Sequence, residues 1–390
     1  MWDGLAAIGR DSRTGGYRRS AWTAEDATLR EWFAGEAAAR GLDLVTDRAG
    51  NQWAWWGDPD ADGPGLVLGS HLDSVPDGGA FDGPLGVVSA FAALDILRDN
   101  GFTPARPIGV AHFGDEEGAR FGIACAGSRI LTGALDADRA RARTDADGVT
   151  MAEAMTRAGH PPAHVGPDAE TLRRVGTFVE LHVEQGRGLA DLDRPVAVGS
   201  VIRPHGRWRV ELRGEANHAG TTLLADRDDP MLAFASLVLA AREAAGQHDA
   251  VATCGKVRVE PNGVNAIPSL VTAWLDARGD DEARVRAVIA DITALVGERR
   301  GTVTEESWTA VTPFRTDLAA RLSALLDDAP VLATGAGHDA GILSAAGVPT
   351  AMLFVRNPTG VSHSPAEFAE RDDCLAGVAA LAAVAQELAR

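Results

Sequence analysis

The sequence predicts an α/β domain with a mostly parallel sheet, interrupted by a smaller ferredoxin-like α+β domain. Three observations carry this. The first third alternates strand-like and helix-like patterns, the order that builds parallel sheets. The middle changes to alternating polar and apolar runs, as half-exposed antiparallel strands read. After about Thr312 the first pattern resumes. The larger domain is therefore expected at 1–205 and 316–390, and the insertion at 206–315.

The elements follow in order. Ala24 to Gly41, "AEDATLREWFAGEAAARG", reads as a helix stopped by glycine. "GLVLGS" is a short buried strand, and "PLGVVSAFAALDILRDNG" is a second helix with the same stop. "PIGVAHFGDEEG" is a buried strand running into an acidic loop. In the middle, "RWRVELRGE" is a strand, "DPMLAFASLVLAAREAAG" a helix, and "VATCGKVRVE" and "SLVTAWLDAR" further strands. "DDEARVRAVIADITALVGERRG" is a helix and "TVTEESWTAV" a strand. This β-α-β-β-α-β order is the ferredoxin-like one. "TAMLFV" and "DDCLAGVAALAAVAQELAR" close the chain as a buried strand and a helix.

Bulk properties narrow the function. A chain of 390 residues exceeds one typical core. Its 45% hydrophobic and 24% charged residues are ordinary for a soluble globular protein. A net charge of −18 argues against nucleic acid and against an anionic membrane surface, which both demand clustered basic residues. Cys125, Cys254 and Cys374 are few, odd in number and widely spaced. They indicate neither a disulfide framework nor a thiolate zinc site. The start, "MWDGLAAIGRDSRTGG", shows no secretory signal, and no apolar run is long enough to span a membrane. A cytoplasmic protein is expected.

Candidate metal ligands recur in loops after strands: His71, Asp82, Glu117, His182 and His363, with Glu116 beside them. A lone histidine is more often structural, so the case rests on the set. Imidazole and carboxylate suit zinc-type ions, and a two-metal site often needs a bridging carboxylate. "HLDSVPDGGAFDG" offers a histidine and several carboxylates on a glycine-rich backbone. "GDEEG" offers adjacent carboxylates, one for metal and one for protons. In α/β sheets such loops lie beyond the carboxyl ends of the strands, where ligands bind. The glycines of "TGAGHDAG" do not have dinucleotide-fingerprint spacing, and no βαβ unit follows them.

Seven motifs, in order, are "GSHLDSV…GGAFDGPLGV", "DEEGARF", "VELHVEQG", "GEANHAGTT", "PNGVNAIP", "GAGHDA" and "VSHSPAE". Together they resemble the hydantoinase/carbamoylase family of dinuclear metal amidohydrolases over nearly the whole chain. That family includes N-carbamoyl-L-amino-acid hydrolases, allantoate amidohydrolases and β-ureidopropionases. The resemblance implies a zinc-exopeptidase-like catalytic domain with an inserted lid and dimerisation domain. It implies two divalent ions, zinc or manganese, with cobalt also compatible. His71, Asp82 and His182 would hold one ion and Asp82, Glu117 and His363 the other, with Asp82 bridging. Glu116 would be the general base. Asp73 would orient His71 through its second ring nitrogen.

The resemblance further implies that Gln185 contacts a ureido group and that His218 stabilises the oxyanion, from either subunit of a homodimer. Asn265 and Arg278 would grip the substrate carboxylate as a pair, and His338 would be another substrate contact. The sequence departs from the family in "RPHGRWR", which contains Arg203 and Arg207, and in "FVRNPTGVSH". Arg356, in the latter, is placed to contact a second acidic group on the substrate, against a plain solvated arginine. The expected substrate is a small carboxylate bearing a ureido group, with allantoate first and N-carbamoyl-L-amino acids next. N-formyl-L-glutamate, a dizinc exopeptidase activity and a non-catalytic binding role are the alternatives.

Overall fold

The computed structural model describes residues 1–390. The chain divides into two compact units, Met1–Val201 with Pro313–Arg390, and Ile202–Thr312. The junctions fall a few residues before those expected from the sequence.

In chain order the first unit contributes β1 (Asp43–Thr46), β2 (Gln52–Trp56), β3 (Gly65–His71), β4 (Ile108–Phe113), β5 (Val175–Val183) and β6 (Val196–Ile202). The second contributes β7 (His205–Arg213), β8 (Asn217–His218), β9 (Ala250–Glu260), β10 (Ala266–Ile267), β11 (Leu270–Gly279) and β12 (Thr302–Thr309). The chain then returns to the first unit with β13 (Thr312–Pro313), β14 (Val331–Thr334) and β15 (Thr350–Val355).

The first unit is α/β, with a nine-stranded mixed sheet ordered β1-β2-β4-β3-β5-β15-β6-β13, and β14 pairing with β6. Its central strands β4, β3, β5 and β15 are parallel. The flanking pairs β1–β2, β2–β4 and β15–β6 are antiparallel. β3, β4 and β15 are buried at every position. This is why they read as continuous apolar runs, a pattern that needs helices on both faces. Helix Pro84–Asp99 is one cover; it begins with proline in its first turn and buries Leu85, Val87, Phe91 and Leu94. Helix Arg371–Leu388 packs beside it through Leu381, Val384 and Leu388. Helix Ala24–Ala39 starts at Thr23, whose hydroxyl accepts the N–H of Asp26. Between β4 and β5 the chain forms four short α-helices and one 3-10 turn within 126–174, too short for their periodicity to stand out in the sequence.

The second unit has the ferredoxin-like order. Its four-stranded antiparallel sheet runs β12-β7-β11-β9, with helices Pro230–Gln247 and Glu282–Glu298 on one face. β7 alternates half-buried and buried residues, so Trp208, Val210 and Leu212 reach the core. A separate two-stranded ribbon pairs β8 with β10, placing His218 opposite Ala266. No helix is long and apolar enough to cross a membrane.

Candidate metal centre

Each of the four central parallel strands delivers one part of the site from its carboxyl end. β3 ends on His71, and the loop after it carries Asp82. β4 runs into Glu116 and Glu117, β5 carries His182, and His363 follows β15. The strands run side by side, so residues almost three hundred positions apart meet. His71, Asp82 and His182 form one group of donor atoms within 4.8 Å of one another. Asp82, Glu117 and His363 form a second. Asp82 is common to both, and its two oxygens divide the work. Oδ1 lies 3.4 Å from His71 Nε2 and 3.2 Å from His182 Nε2. Oδ2 lies 3.4 Å from His363 Nε2, and Glu117 Oε2 lies 3.5 Å from that same nitrogen.

The histidine tautomers suit a metal. His71 Nδ1 faces the carbonyl of Asp73 at 3.1 Å, and His182 Nδ1 faces that of Val183 at 2.9 Å. A carbonyl can only accept, so both Nδ1 atoms carry a proton and Nε2 is the ring nitrogen each histidine can offer to a metal. Those Nε2 atoms are buried with no hydrogen-bond partner. A buried orphan acceptor is costly, and two of them aimed at one carboxylate are what a cation would satisfy. The residues present therefore fit a divalent metal. Without one, burial works against charge on His71, but Glu116, Asp73 and Asp82 outweigh it and raise its pKa well above the usual value. Burial likewise opposes charge on Asp82, yet His182, His363 and His71 hold its carboxyl well below the usual range. Glu117 is pushed up to about 7, by burial first and Asp82 second.

Glu116 points elsewhere. It is buried, its Oε2 lies 3.8 Å from His71 Nε2, and its Oε1 accepts from the Cys125 thiol at 3.3 Å. Burial raises its pKa well above the usual carboxylate value; His71 opposes this, and Asp339, Glu117 and Asp73 add to it. Asp73 meets the second ring nitrogen of His71, as expected. Its main-chain carbonyl, not its carboxylate, makes the shorter contact with the ring, the carboxylate standing 3.4 Å away. The carboxylate also accepts the backbone N–H groups of Glu116 and Glu117, at 3.2 and 3.1 Å. It ties the acidic loop to the His71 loop.

Gln185 stands at the centre: its Nε2 donates to Asp82 Oδ2 at 2.9 Å, while its buried Oε1 has no partner. His338 packs on His182 with ring centroids 4.5 Å apart.

The remaining candidates lie in the second unit, with one exception. His218 and Asn265 come together on the β8–β10 ribbon, where Ala219 N donates to the Asn265 carbonyl. The backbone N–H groups of Gly220 and Thr221 donate to His218 Nδ1, which leaves the proton on Nε2. Arg278 is not beside Asn265. It sits eight residues along β11 from Leu270, roughly 26 Å from that end of the strand, and grips Asp276 through two bonds. The family resemblance implied a pair, but within one chain most of β11 lies between the two residues.

Arg203 pairs with Asp280 and Arg207 with Asp276. The exception is Arg356, in the first unit. Its guanidinium spans Asp373 by two bonds, at 2.8 and 2.9 Å, and meets Asp193 at 2.8 Å. Its hydrogen bonds go to acidic side chains of the chain itself, at the start of the last helix, rather than standing free for a substrate acid as expected.

Several residues escaped the sequence reading. Glu180 is fully buried, accepts Ser70 Oγ and Ala340 N, and groups with His182 and His338. Its signal was present: in a strand, a residue two before His182 shares its face. Asp339 is buried beneath His338 and accepts Ser128 Oγ. Ser362 and Glu367 lie within "VSHSPAE" but had been passed over beside the histidine.

Comparison with known proteins gives the family. The family model described as Peptidase family M20/M25/M40 matches residues 67–387. An N-carbamoyl-L-amino acid amidohydrolase from Geobacillus stearothermophilus is 35% identical, covering 100% of this chain and 98% of its own. An allantoate amidohydrolase from Escherichia coli K12 is 33% identical, over 99% of this chain and 96% of its own. The crystal structure of a hydantoinase/carbamoylase family amidase from Burkholderia vietnamiensis superposes with a TM-score of 0.91 at 29% identity, covering 100% of this chain and 95% of that one. The chain belongs to the M20/M25/M40 family, among its hydantoinase/carbamoylase amidohydrolases, which hydrolyse C–N bonds.

Proposed function

We propose that the protein is a cytoplasmic, homodimeric, dinuclear metal-dependent amidohydrolase. It cleaves the C–N bond of a ureido group on a small carboxylate, allantoate or an N-carbamoyl-L-amino acid. One observation carries this reading: the buried Asp82 offers one oxygen to each of two ligand groups, with the buried carboxyl of Glu116, which belongs to neither group, alongside.

Two divalent ions, zinc or manganese, with cobalt also compatible, would supply a water of lowered pKa and polarise the scissile carbonyl. The protein's own groups do the rest. Glu116 takes the proton of the attacking water and returns it to the leaving nitrogen. Gln185 Oε1, buried and unpartnered, is an acceptor for a ureido N–H. His218, with its proton on Nε2, is a donor suited to a developing oxyanion. The Arg278 fork matches a carboxylate such as the one it now holds on Asp276.

Two observations support a dimer. Asn265 sits just before β10 on the β8–β10 ribbon and Arg278 near the far end of β11, so a carboxylate gripped by both would take them from two chains. The second unit also exposes Leu232 and Leu239 on helix Pro230–Gln247, and Val251 on the edge strand β9. The loss of Arg356 as a substrate contact removes the main support for N-formyl-L-glutamate.

A substrate panel tests the reading. Allantoate, several N-carbamoyl-L-amino acids, N-formyl-L-glutamate and dipeptides are offered with added manganese or zinc. Turnover of ureido substrates is expected. Hydrolysis confined to dipeptides or to the formyl compound overturns it.

A further inference from the structure

We propose that Glu367 is a positioning residue that fixes the Asp82 loop against the His363 turn, and thereby the spacing of the two ligand groups. The inference rests on the dinuclear reading above.

Glu367 is 5% exposed and reaches across 285 residues of sequence. Its Oε1 accepts the backbone N–H groups of Phe81 and Asp82, at 2.9 and 3.0 Å. Its Oε2 accepts the hydroxyl of Ser362 at 2.8 Å. That hydroxyl oxygen lies 3.3 Å from Asp82 Oδ2. One carboxylate thus holds the main chain of the shared ligand and the residue just before the last histidine.

The surrounding backbone is built to admit it. A Cβ on Gly79 would lie 2.3 Å from Glu367 Oε1 and 2.4 Å from its Cβ, so only glycine lets the side chain in. The turn it clamps also needs holding. His363 has φ +55, a conformation that side chains with a Cβ seldom adopt unless the surroundings enforce it. Asn357 staples the near end of that turn, accepting from Thr359 and Gly360 and donating to Val361 O. Glu367 secures the far end. Groups that orient ligands in this way typically change metal affinity about 10–100-fold when removed.

The test is calorimetric titration of metal-free protein with Mn²⁺, comparing wild type, Glu367→Ala, Glu367→Gln and Ser362→Ala. Melting of each metal-free variant verifies folding. Two ions are expected on wild type. Glu367→Ala should weaken one of them about 10–100-fold. Glu367→Gln should stay within a few-fold of wild type, because its amide oxygen still accepts both backbone N–H groups. Ser362→Ala, which cuts only the second arm, should fall between the two and remains informative if Glu367→Ala does not fold. Wild-type binding of two ions by both Glu367→Ala and Ser362→Ala overturns the inference alone, as does a Gln variant as damaged as the Ala one. Uptake of fewer than two ions by wild type overturns the dinuclear reading and this inference with it.

Discussion

Glu116 and Glu117 are adjacent, yet their side chains face different partners. Glu117 meets His363 within the second ligand group, whereas Glu116 meets the Cys125 thiol and stands off His71. The Asp73 carboxylate holds both backbone N–H groups and so sets the divergence. Glu116→Gln preserves shape and removes the base. It should lower kcat by about two to four orders of magnitude while metal content, measured by elemental analysis, stays at the wild-type level. Arg356 marks the opposite case, a charged residue near the site that serves structure. Arg356→Ala leaves the buried Asp373 without its bidentate partner. A stability loss of about 1–3 kcal/mol is expected in denaturant unfolding, with KM unchanged for both neutral and acidic N-carbamoyl amino acids. A raised KM confined to acidic substrates would restore it as a substrate contact.

At the level of elements, the site depends on how closely each strand-to-helix loop can fold. Asp82 reaches the ligand groups because Gly83, at φ +81, turns the chain sharply into helix Pro84–Asp99. A Cβ there would lie 2.5 Å from the His71 ring. Three residues on, a Cβ at Gly86 would lie 2.3 Å from the Leu181 carbonyl, so the same helix packs directly on β5. Gly83→Ala should displace His71 or Asp82. The expected result is weakened metal binding by calorimetry and a loss of roughly 1–3 kcal/mol in stability, from the unfavourable φ alone. Unchanged metal affinity would mean the loop can relax without moving its ligands.

For the whole molecule, the two units have separate cores and different surfaces. The first buries its apolar residues around the nine-stranded sheet. The second has a core of its own, from Trp208 and Val210 to Ile292 and Val296, yet leaves Leu232 and Leu239 70% and 73% exposed. Large apolar side chains grouped on one outer helix face signal association. If the proposed dimer uses this face, Leu239→Glu should give a monomer in analytical ultracentrifugation. It should also reduce turnover, if Asn265 and Arg278 act from two chains. A variant that sediments like wild type places the interface elsewhere.

The main strand and helix patterns, the interrupted two-unit order and the candidate ligand residues were legible in the sequence, whereas the short helices within 126–174 were not. Period-2 and period-3.6 patterning and glycine stops are local signals, and the motifs that carry His71, Asp82, Glu116 and His182 are contiguous. What side chains far apart in sequence do to each other was not legible. Asp73 holds the acidic loop as well as meeting His71, Arg356 closes on Asp373, and β11 carries Arg278 away from Asn265. Glu180 and Glu367 join the site only once parallel strands bring their ends together. A residue type and its spacing state what a side chain can do. Which partner it meets, and whether that partner is metal, substrate or another part of the chain, is settled by tertiary packing, because hydrogen bonds and ion pairs depend on distances that only the folded chain sets.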